Sequence, residues 1–534
     1  MNEESQSKNR EETPKTGVKM TLGRRDVLKA LATVPVLGVF FYKLGKKQAI
    51  EGYKKREVLA ELGLDKKAPA VLPKTTFKKS GELIRVGVIG CGGRGEAVMR
   101  AAGFAHPEWT DQKKQDALKN PRDSALADFL LGQEDLNIAV TAVCDVFDIR
   151  AERGIEASKN PVRPGGDKKG LGKAKRYLSY QEMLESKDID AVIMAAPEHW
   201  HARMILDTVA AGKHLYAEKP FTKTLEEGIE VANAVKKSRI VFQLGHQNRQ
   251  VESHIRAREM VLKNVLGKVT LVETTTNRNS PTGAWVMSIH KDASPENIDW
   301  LQFLGNAPRR PFNLERFFRW RCWYDYSNGI ASDLLSHEYD SVNQILELGI
   351  PRSAVASGGI YYYKDGREVP DVFQVAFEYP DRGLTLMYSA TLANEHDRGM
   401  VFMGHDASME VGGGITVMPD IGSTRYQKKI EAGIIDVSMP LVAYLPGSQG
   451  FDAVTTATEK YFASRGLMYT YRDGKRVDST HLHVKEWLDC IRNGGTPSCP
   501  IDRGFEEGVT CQMAAASYLQ GRKVEWDPVN MKIV

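Results

Sequence analysis

"LIRVGVIGCGGRGEAVMRAAG", residues 83–103, decides the fold. Ile84 to Ile89 is an apolar run, Gly90-x-Gly92-x-x-Gly95 follows at once, and the chain then takes up helical spacing. Strand, glycine turn and helix in that order build a dinucleotide-binding unit. The glycines let backbone approach a pyrophosphate, and the helix N-terminus offers amide donors and the positive end of its dipole. Such a motif carries little weight alone; here both flanks are correct. The cofactor-binding turn is therefore read as Gly90, Cys91, Gly92, Gly93, Arg94 and Gly95.

The next strand-like run, "IAVTAVCDVFD" (138–148), contains Asp145 at its end. An acid there accepts hydrogen bonds from ribose hydroxyls and favours NAD over NADP. The competing reading is a carboxylate that caps the following loop. Asp145 lies well beyond the ~20 residues usual for this acid, so residues 104–137 read as an insertion with a helix from about Asp111 to Leu131. A third unit, "IDAVIMAAPEHWHARMILDTVAAGKHLYAEKPFTKT" (189–224), gives strand, helix and strand again, the last running into Glu218-Lys219-Pro220.

Taken in order, the glycine turn, the strand-end Asp, "APEHWH", "GKHLYAEKP" and "GHQNR" resemble the Gfo/Idh/MocA oxidoreductase family over roughly residues 82 to 530. The resemblance implies an α/β protein with an N-terminal Rossmann domain. An α+β domain with a large, mainly antiparallel open sheet would follow, and that sheet often forms a homo-oligomer interface. It implies that Glu218, Lys219 and Pro220 lie at the nicotinamide and that Lys219 contacts the reacting hydroxyl. Pro197, His199, Trp200, His201 and Gln247 are assigned with them to the cofactor site. The "HWH" pair could suggest a metal, but relatives carry similar segments at a loop-to-helix junction without one, so none is expected.

After "VFQLGHQNR" the periodicity changes. "KVTLVETTT", "FQVAFEY", "LTLMYSAT", "MVFMG" and "ASMEVGGGITVM" alternate with period two, as strands of a half-buried sheet do. In "RFFRWRCWYDYSNGIASDLLSHEYDSVNQILELG" the Asn328-Gly329 pair breaks the chain before a helix with Leu334, Leu335, Tyr339, Val342, Ile345 and Leu346 on its apolar face. Asp333 and His337, four apart, are expected on one face of that helix. By resemblance they stand opposite Lys219, giving a catalytic set of Lys219, Asp333 and His337. His337 suits a general base because imidazole titrates near neutrality. Lys219 suits a developing alkoxide, and Asp333 would bind another hydroxyl or orient the histidine. Arg249 (with Asn248), Arg319, Trp320, Trp323, Tyr324 and Tyr326 are candidate substrate contacts, since aromatic faces suit sugar C–H surfaces; a packed core segment is the alternative. Gly404-His405-Asp406-Ala407 departs from the family's glycine-rich strand start.

The leader "TLGRRDVLKALATVPVLGVFFYKLG" (21–45) places Arg24-Arg25 before a short apolar run, like a twin-arginine export signal. Ala30 to Tyr42 is shorter than the about 20 residues that span a bilayer. No small-x-small cleavage triplet follows, so a retained tether is also expected as an option. Charge agrees with this division: residues 1–80 hold 18 Lys+Arg against 9 Asp+Glu, and the remainder 55 against 59. The folded part therefore offers no charge argument for nucleic acid. Six scattered cysteines form no C-x-x-C pair, though Cys490 and Cys499 could bond outside the cytoplasm.

The expected organisation is a signal or anchor at 1–45, a linker at 46–81, a Rossmann domain at 82–240 and an α+β domain at 241–534. The expected activity is an exported oxidoreductase with tightly held NAD acting on a sugar, polyol or glycoside. The alternatives are an NAD-dependent glycosidase working by transient oxidation and elimination, and a dinucleotide-binding protein without chemistry. Expected partners are a carbohydrate and the twin-arginine export machinery.

Overall fold

A computed structural model describes residues 49–62, 64, 82–119, 133–159, 173–280, 282–396, 398–445, 469–472 and 475–534. The twin-arginine leader lies outside them. Among the described residues no helix is long and apolar enough to cross a membrane. The chain divides into two compact units, residues 1–57 and 58–534. In the first, residues 49–57 are helical.

Two sheets organise the second unit. The first is parallel, with strands β1 (Ile84–Ile89), β2 (Ile138–Cys144), β3 (Lys175–Tyr177), β4 (Ala191–Met194), β5 (His214–Ala217) and β6 (Phe242–Leu244) in the order β3-β2-β1-β4-β5-β6. Helices cover both faces, so its strands are near-continuous apolar runs rather than alternating ones. Helix α1 (Gly93–Ala101) follows β1, α2 (His201–Ala210) follows β4, and α3 (Leu225–Lys237) follows β5. Thr224 and Glu227 close a reciprocal capping box at the start of α3. The strand order reverses between β1 and β4, and the crevice at their carboxyl ends is where open α/β sheets hold ligands. Within the insertion a helix spans Pro107–Lys119. It starts four residues earlier than expected, at a proline suited to a first helical position; residues 120–132, where the expected helix continues, lie outside the described residues.

The second sheet has ten strands in the order β14-β13-β12-β11-β7-β10-β9-β8-β17-β18. They are β7 (Val269–Asn277), β8 (Ser353–Gly359), β9 (Val372–Tyr379), β10 (Leu384–Thr391), β11 (Met400–Gly404), β12 (Ala407–Val411), β13 (Ile415–Pro419), β14 (Val442–Tyr444), β17 (Val524–Asp527) and β18 (Lys532–Ile533). Strands β15 (Tyr469–Arg472) and β16 (Lys475–Asp478) form a separate hairpin. Among the described strands of this sheet only β7 and β10 pair in parallel; the other pairs are antiparallel. All five alternating runs of the sequence are strands of this sheet. The inward positions Phe373, Val375 and Phe377 face the core with Leu386, Tyr388 and Ala390.

Helix α4 (Leu335–Leu346) packs beneath β7, α5 (Ser479–Asn493) against α1, and α6 (Ile501–Gln520) against α3, α4 and β8. The terminal helices thus tie the two sheets together. No cysteine is bonded to another, Cys490 and Cys499 included.

Candidate active site

A cavity of about 880 Å³ opens at the carboxyl ends of β1 and β4. Its floor is the glycine turn. Gly90 has φ +84°, and a Cβ there would stand 2.5 Å from the Ala195 carbonyl oxygen. A Cβ on Gly95 would stand 1.9 Å from the Gly90 oxygen, whereas one on Gly93 would meet nothing within 4 Å. The first two glycines let α1 start hard against the strand ends, and the third leaves bare backbone open to the cavity. That cradle, at a helix N-terminus, fits a dinucleotide pyrophosphate.

Asp145 borders the same cavity. One carboxylate oxygen accepts from the Cys91 amide (2.7 Å) and the other from the Phe147 amide (2.8 Å). The side chain therefore caps its own loop and straps it to the glycine turn. Burial pushes its pKa up, with Arg150 and the two amides opposing. Each oxygen retains a second lone pair for a ribose hydroxyl, so the two readings of Asp145 are compatible. Arg94 forms an ion pair with Glu218 Oε1 (2.8 Å) and donates to Gln247 Oε1 (3.0 Å). These three residues line the cavity as a bridge joining the glycine turn, β5 and the Gln247–Gln250 turn.

Another part of the wall carries Lys219, Asp333 and His337. Lys219 Nζ donates to the Asp333 backbone oxygen (2.7 Å) and to Asp333 Oδ1 (3.0 Å). Arg321 Nε also donates to Oδ1 (3.0 Å), and Trp285 Nε1 donates to Oδ2 (3.1 Å). Burial alone would raise the Asp333 pKa, but Arg321 and Lys219 hold it well below the usual carboxylate range.

This constellation explains a departure from the expected single helix. The chain is helical over Ile330–Asp333, breaks at Leu334 and resumes as α4. In a continuous helix the Asp333 carbonyl would accept from the His337 amide. Lys219 occupies that carbonyl, and the His337 amide turns to Leu334 instead (3.2 Å). A side chain inserted into the hydrogen-bond ladder is a recognised cause of a kink. The kink still leaves Asp333 and His337 both on the cavity wall. His337 Nδ1 is buried without a hydrogen-bond partner, and its ring stands perpendicular to His246 at 5.7 Å. Burial, with Lys219 and His246 nearby, keeps its pKa well below the ordinary value.

A family model described as "Oxidoreductase family, NAD-binding Rossmann fold" (GFO_IDH_MocA) matches residues 84–246, which hold the glycine turn, Asp145, Lys219 and His246. Residues 84–246, the Rossmann part of the chain, thus match the Gfo/Idh/MocA oxidoreductase family. Curated relatives include a glycosyl hydrolase family 109 protein from Shewanella sp. (strain MR-4), 32% identical over 178 residues. An α-N-acetylgalactosaminidase from Shewanella oneidensis is 29% identical over 189 residues. The matches span 32% and 34% of this chain and only 31% and 34% of those relatives. Among solved structures, a levoglucosan dehydrogenase in complex with NADH and levoglucosan superposes with TM-score 0.54 at 16% identity, covering 83% of this chain and 99% of its own. WlbA dehydrogenase from Bordetella pertussis, in complex with NADH and UDP-GlcNAcA, gives 0.52 at 14%, covering 84% and 99%. At such identities the likeness establishes the shared fold.

Several residues expected at the site are elsewhere. His199 and His201 do not line the cavity. His199 Nε2 lies 2.9 Å from the Phe303 carbonyl, and the His201 ring nitrogens contact the Pro220 (2.6 Å) and Ala196 (3.0 Å) carbonyls, so both pin loops together. Pro197 and Trp200 do reach the cavity. Arg249 is buried in a forked ion pair with Asp340 (2.6–3.0 Å) and is a structural strut, not a substrate contact. Arg319 pairs with Glu315 (2.7 Å), one helical turn back. Trp323 and Tyr326 are buried in the core, and Tyr324 packs against it, so of the aromatic cluster only Trp320 borders the cavity. The Gly404–Ala407 turn is closed by Ser423 and the Arg425 amide on Asp406 and stands apart from the site.

Arg321 and Trp285 are the main site residues not assigned from sequence. "RWRC" shows two arginines two apart, and only the fold reveals which one meets Asp333. Trp285 sits in a segment with no periodicity to read. Glu198, also unassigned, is buried behind Asp333, accepts from Ser332 Oγ (2.9 Å), and is pushed up to about 7 by burial.

Proposed function

We propose that this protein is an NAD-dependent oxidoreductase acting on a ring hydroxyl or ketone of a sugar, polyol or glycoside, with the dinucleotide held through many turnovers. The observation that carries the reading is the meeting of Lys219, Asp333 and His337 in the same cavity as the glycine turn. A nicotinamide bound there supplies the hydride acceptor. The chain's residues supply placement and proton transfer. Lys219 has three N–H donors; two are engaged by Asp333, which leaves one for the substrate oxygen. Asp333 accepts from Lys219, Arg321 and Trp285 and makes no hydrogen bond to the His337 ring, so its role is to fix Lys219 and Arg321 rather than to orient His337. His337, kept neutral by burial, accepts the hydroxyl proton at a ring nitrogen. Lys219 stabilises the oxygen as negative charge grows on it.

The second reading is a glycosidase that oxidises a ring hydroxyl, eliminates the leaving group from the acidified neighbour and reduces the ring again. The two Shewanella glycosidase relatives favour it. Incubation of the purified protein with a panel of glycosides separates the readings. Ketosugar formed with the glycosidic bond intact supports the first; aglycone release with no net change in nicotinamide supports the second. Neither product from any member overturns both.

The Arg24-Arg25 leader suits either chemistry, because export after folding would carry NAD out with the protein. Cell fractionation with Arg24→Lys/Arg25→Lys tests this: the parent belongs in the envelope and the double variant in the cytoplasm. Homo-oligomerisation through the ten-stranded sheet is part of the same reading, checked by light scattering.

A further inference from the structure

The two ends of the cavity differ in charge. Near the glycine turn the charges are matched: Arg94 with Glu218 (2.8 Å), Arg153 with Glu96 (2.8 Å), and Arg150 against Asp145. At the acid–base end, Lys219, Arg321 and Arg278 border the cavity with Asp333, the other lining carboxylates (Glu96, Asp145 and Glu218) being those matched by arginines near the glycine turn. Arg278 belongs to this end because Thr276, two residues before it at the end of β7, donates to Glu338 (3.2 Å), the residue after His337. It is exposed and has no ion pair or side-chain hydrogen bond with the described residues. The acids behind this wall are occupied: Glu198 by Ser332, Glu338 by Thr274 and Thr276, and neither borders the cavity.

Arg321 is also arranged as a receptor. Its Nε is fixed on Asp333, and its guanidinium stacks 4.1 Å from the centre of the Trp320 ring. Stacking and the Nε bond hold the planar group still, and its terminal amines make no hydrogen bond with the described residues. A guanidinium set in this way binds a carboxylate or a phosphoryl oxygen through two parallel bonds. An oxidised nicotinamide would add a further positive charge at the same end, so a neutral sugar would leave two or more cations uncompensated in a partly enclosed space.

We propose that the substrate is an anionic sugar, with its acidic group held by Arg321 and Arg278. This deepens the oxidoreductase reading and rests on it for the identity of the site. Calorimetry on the protein as purified, with methyl glycosides of glucuronate, galacturonate and mannuronate, each beside its neutral parent sugar, tests it; glucose 6-phosphate is included to separate a carboxylate from a phosphate. At least one acid should bind about tenfold or more tightly than its neutral partner, the scale of one charge-assisted pair. The preference should shrink as salt rises. Arg278→Gln should lower the ratio several-fold. Equal affinities, no binding by any member, or a ratio untouched by Arg278→Gln overturns the proposal. The redox state of the bound nicotinamide, read in the same samples, keeps the two readings apart. Tight acid binding without reduction removes the oxidoreductase reading and leaves this one, whereas reduction by neutral and acidic sugars alike does the reverse.

Discussion

Lys219→Met keeps the length of the side chain and removes its ammonium. Two hydrogen bonds to Asp333 are lost, at 2.7 and 3.0 Å. Bonds to a charged group are each worth about 1.5–3 kcal/mol, and stranding a buried charge outright costs about 3–5 kcal/mol. Asp333 is not stranded here, because Arg321 and Trp285 still hold it. The expected loss of stability is therefore at the low end, about 2–3 kcal/mol. The loss of rate should be larger: removing a donor aimed at a developing oxyanion costs about 10²–10³-fold. A third effect is structural. With Lys219 gone, the Asp333 carbonyl is free to accept from the His337 amide, and the break at Leu334 should anneal into continuous helix. Three measurements check this: urea unfolding, single-turnover reduction of the bound nicotinamide, and hydrogen exchange at the His337 amide. A rate within threefold of the parent, or no change in protection at that amide, would refute the role given to Lys219.

Other outcomes follow from the same geometry. His337→Ala should leave dinucleotide binding intact and lower hydride transfer by about 10²–10⁴-fold, the range for a general base; if single-turnover rates hold, the base lies elsewhere. Asp145→Ser removes the acceptor of the Cys91 and Phe147 amides, so NAD affinity should fall while NADP improves relative to it; titrations with both dinucleotides check this, and a parent protein isolated with NADP would contradict it. Stability should fall between pH 7 and pH 5. Burial holds His199 and His254 at about 4 and His483 at about 3, so below 6.5 the unfolded chain binds protons that the folded one does not. Each contributes a loss of roughly 2 kcal/mol over that interval, and a urea midpoint that stays constant would show that these rings are charged in the fold.

Local features of this protein were legible in its sequence. The glycine turn, the strand-end Asp145 and the alternating runs of the large sheet each depend on residues adjacent in the chain. What failed was partnership at a distance. Arg249 reads as a loop cation until Asp340, 91 residues on, forks onto it. The helix break depends on Lys219, 114 residues away, so spacing alone could place Asp333 and His337 together but not show the kink between them. The aromatic cluster at 320–326 has one composition and two fates, since Trp320 meets the cavity while Trp323 and Tyr326 are core. Burial divides them, and no local pattern encodes it.

In the proposed reaction hydride moves between a sugar carbon and a nicotinamide that stays on the protein. This transfer is tested most directly by supplying a uniformly deuterated sugar or glycoside that the protein turns over, denaturing the protein after one turnover, and examining the released dinucleotide by mass spectrometry. Near-stoichiometric dinucleotide carrying one deuterium is expected, with transfer slowed by at least about 10²-fold in His337→Ala. Turnover with no dinucleotide on the protein, or with dinucleotide that never gains deuterium, would contradict it.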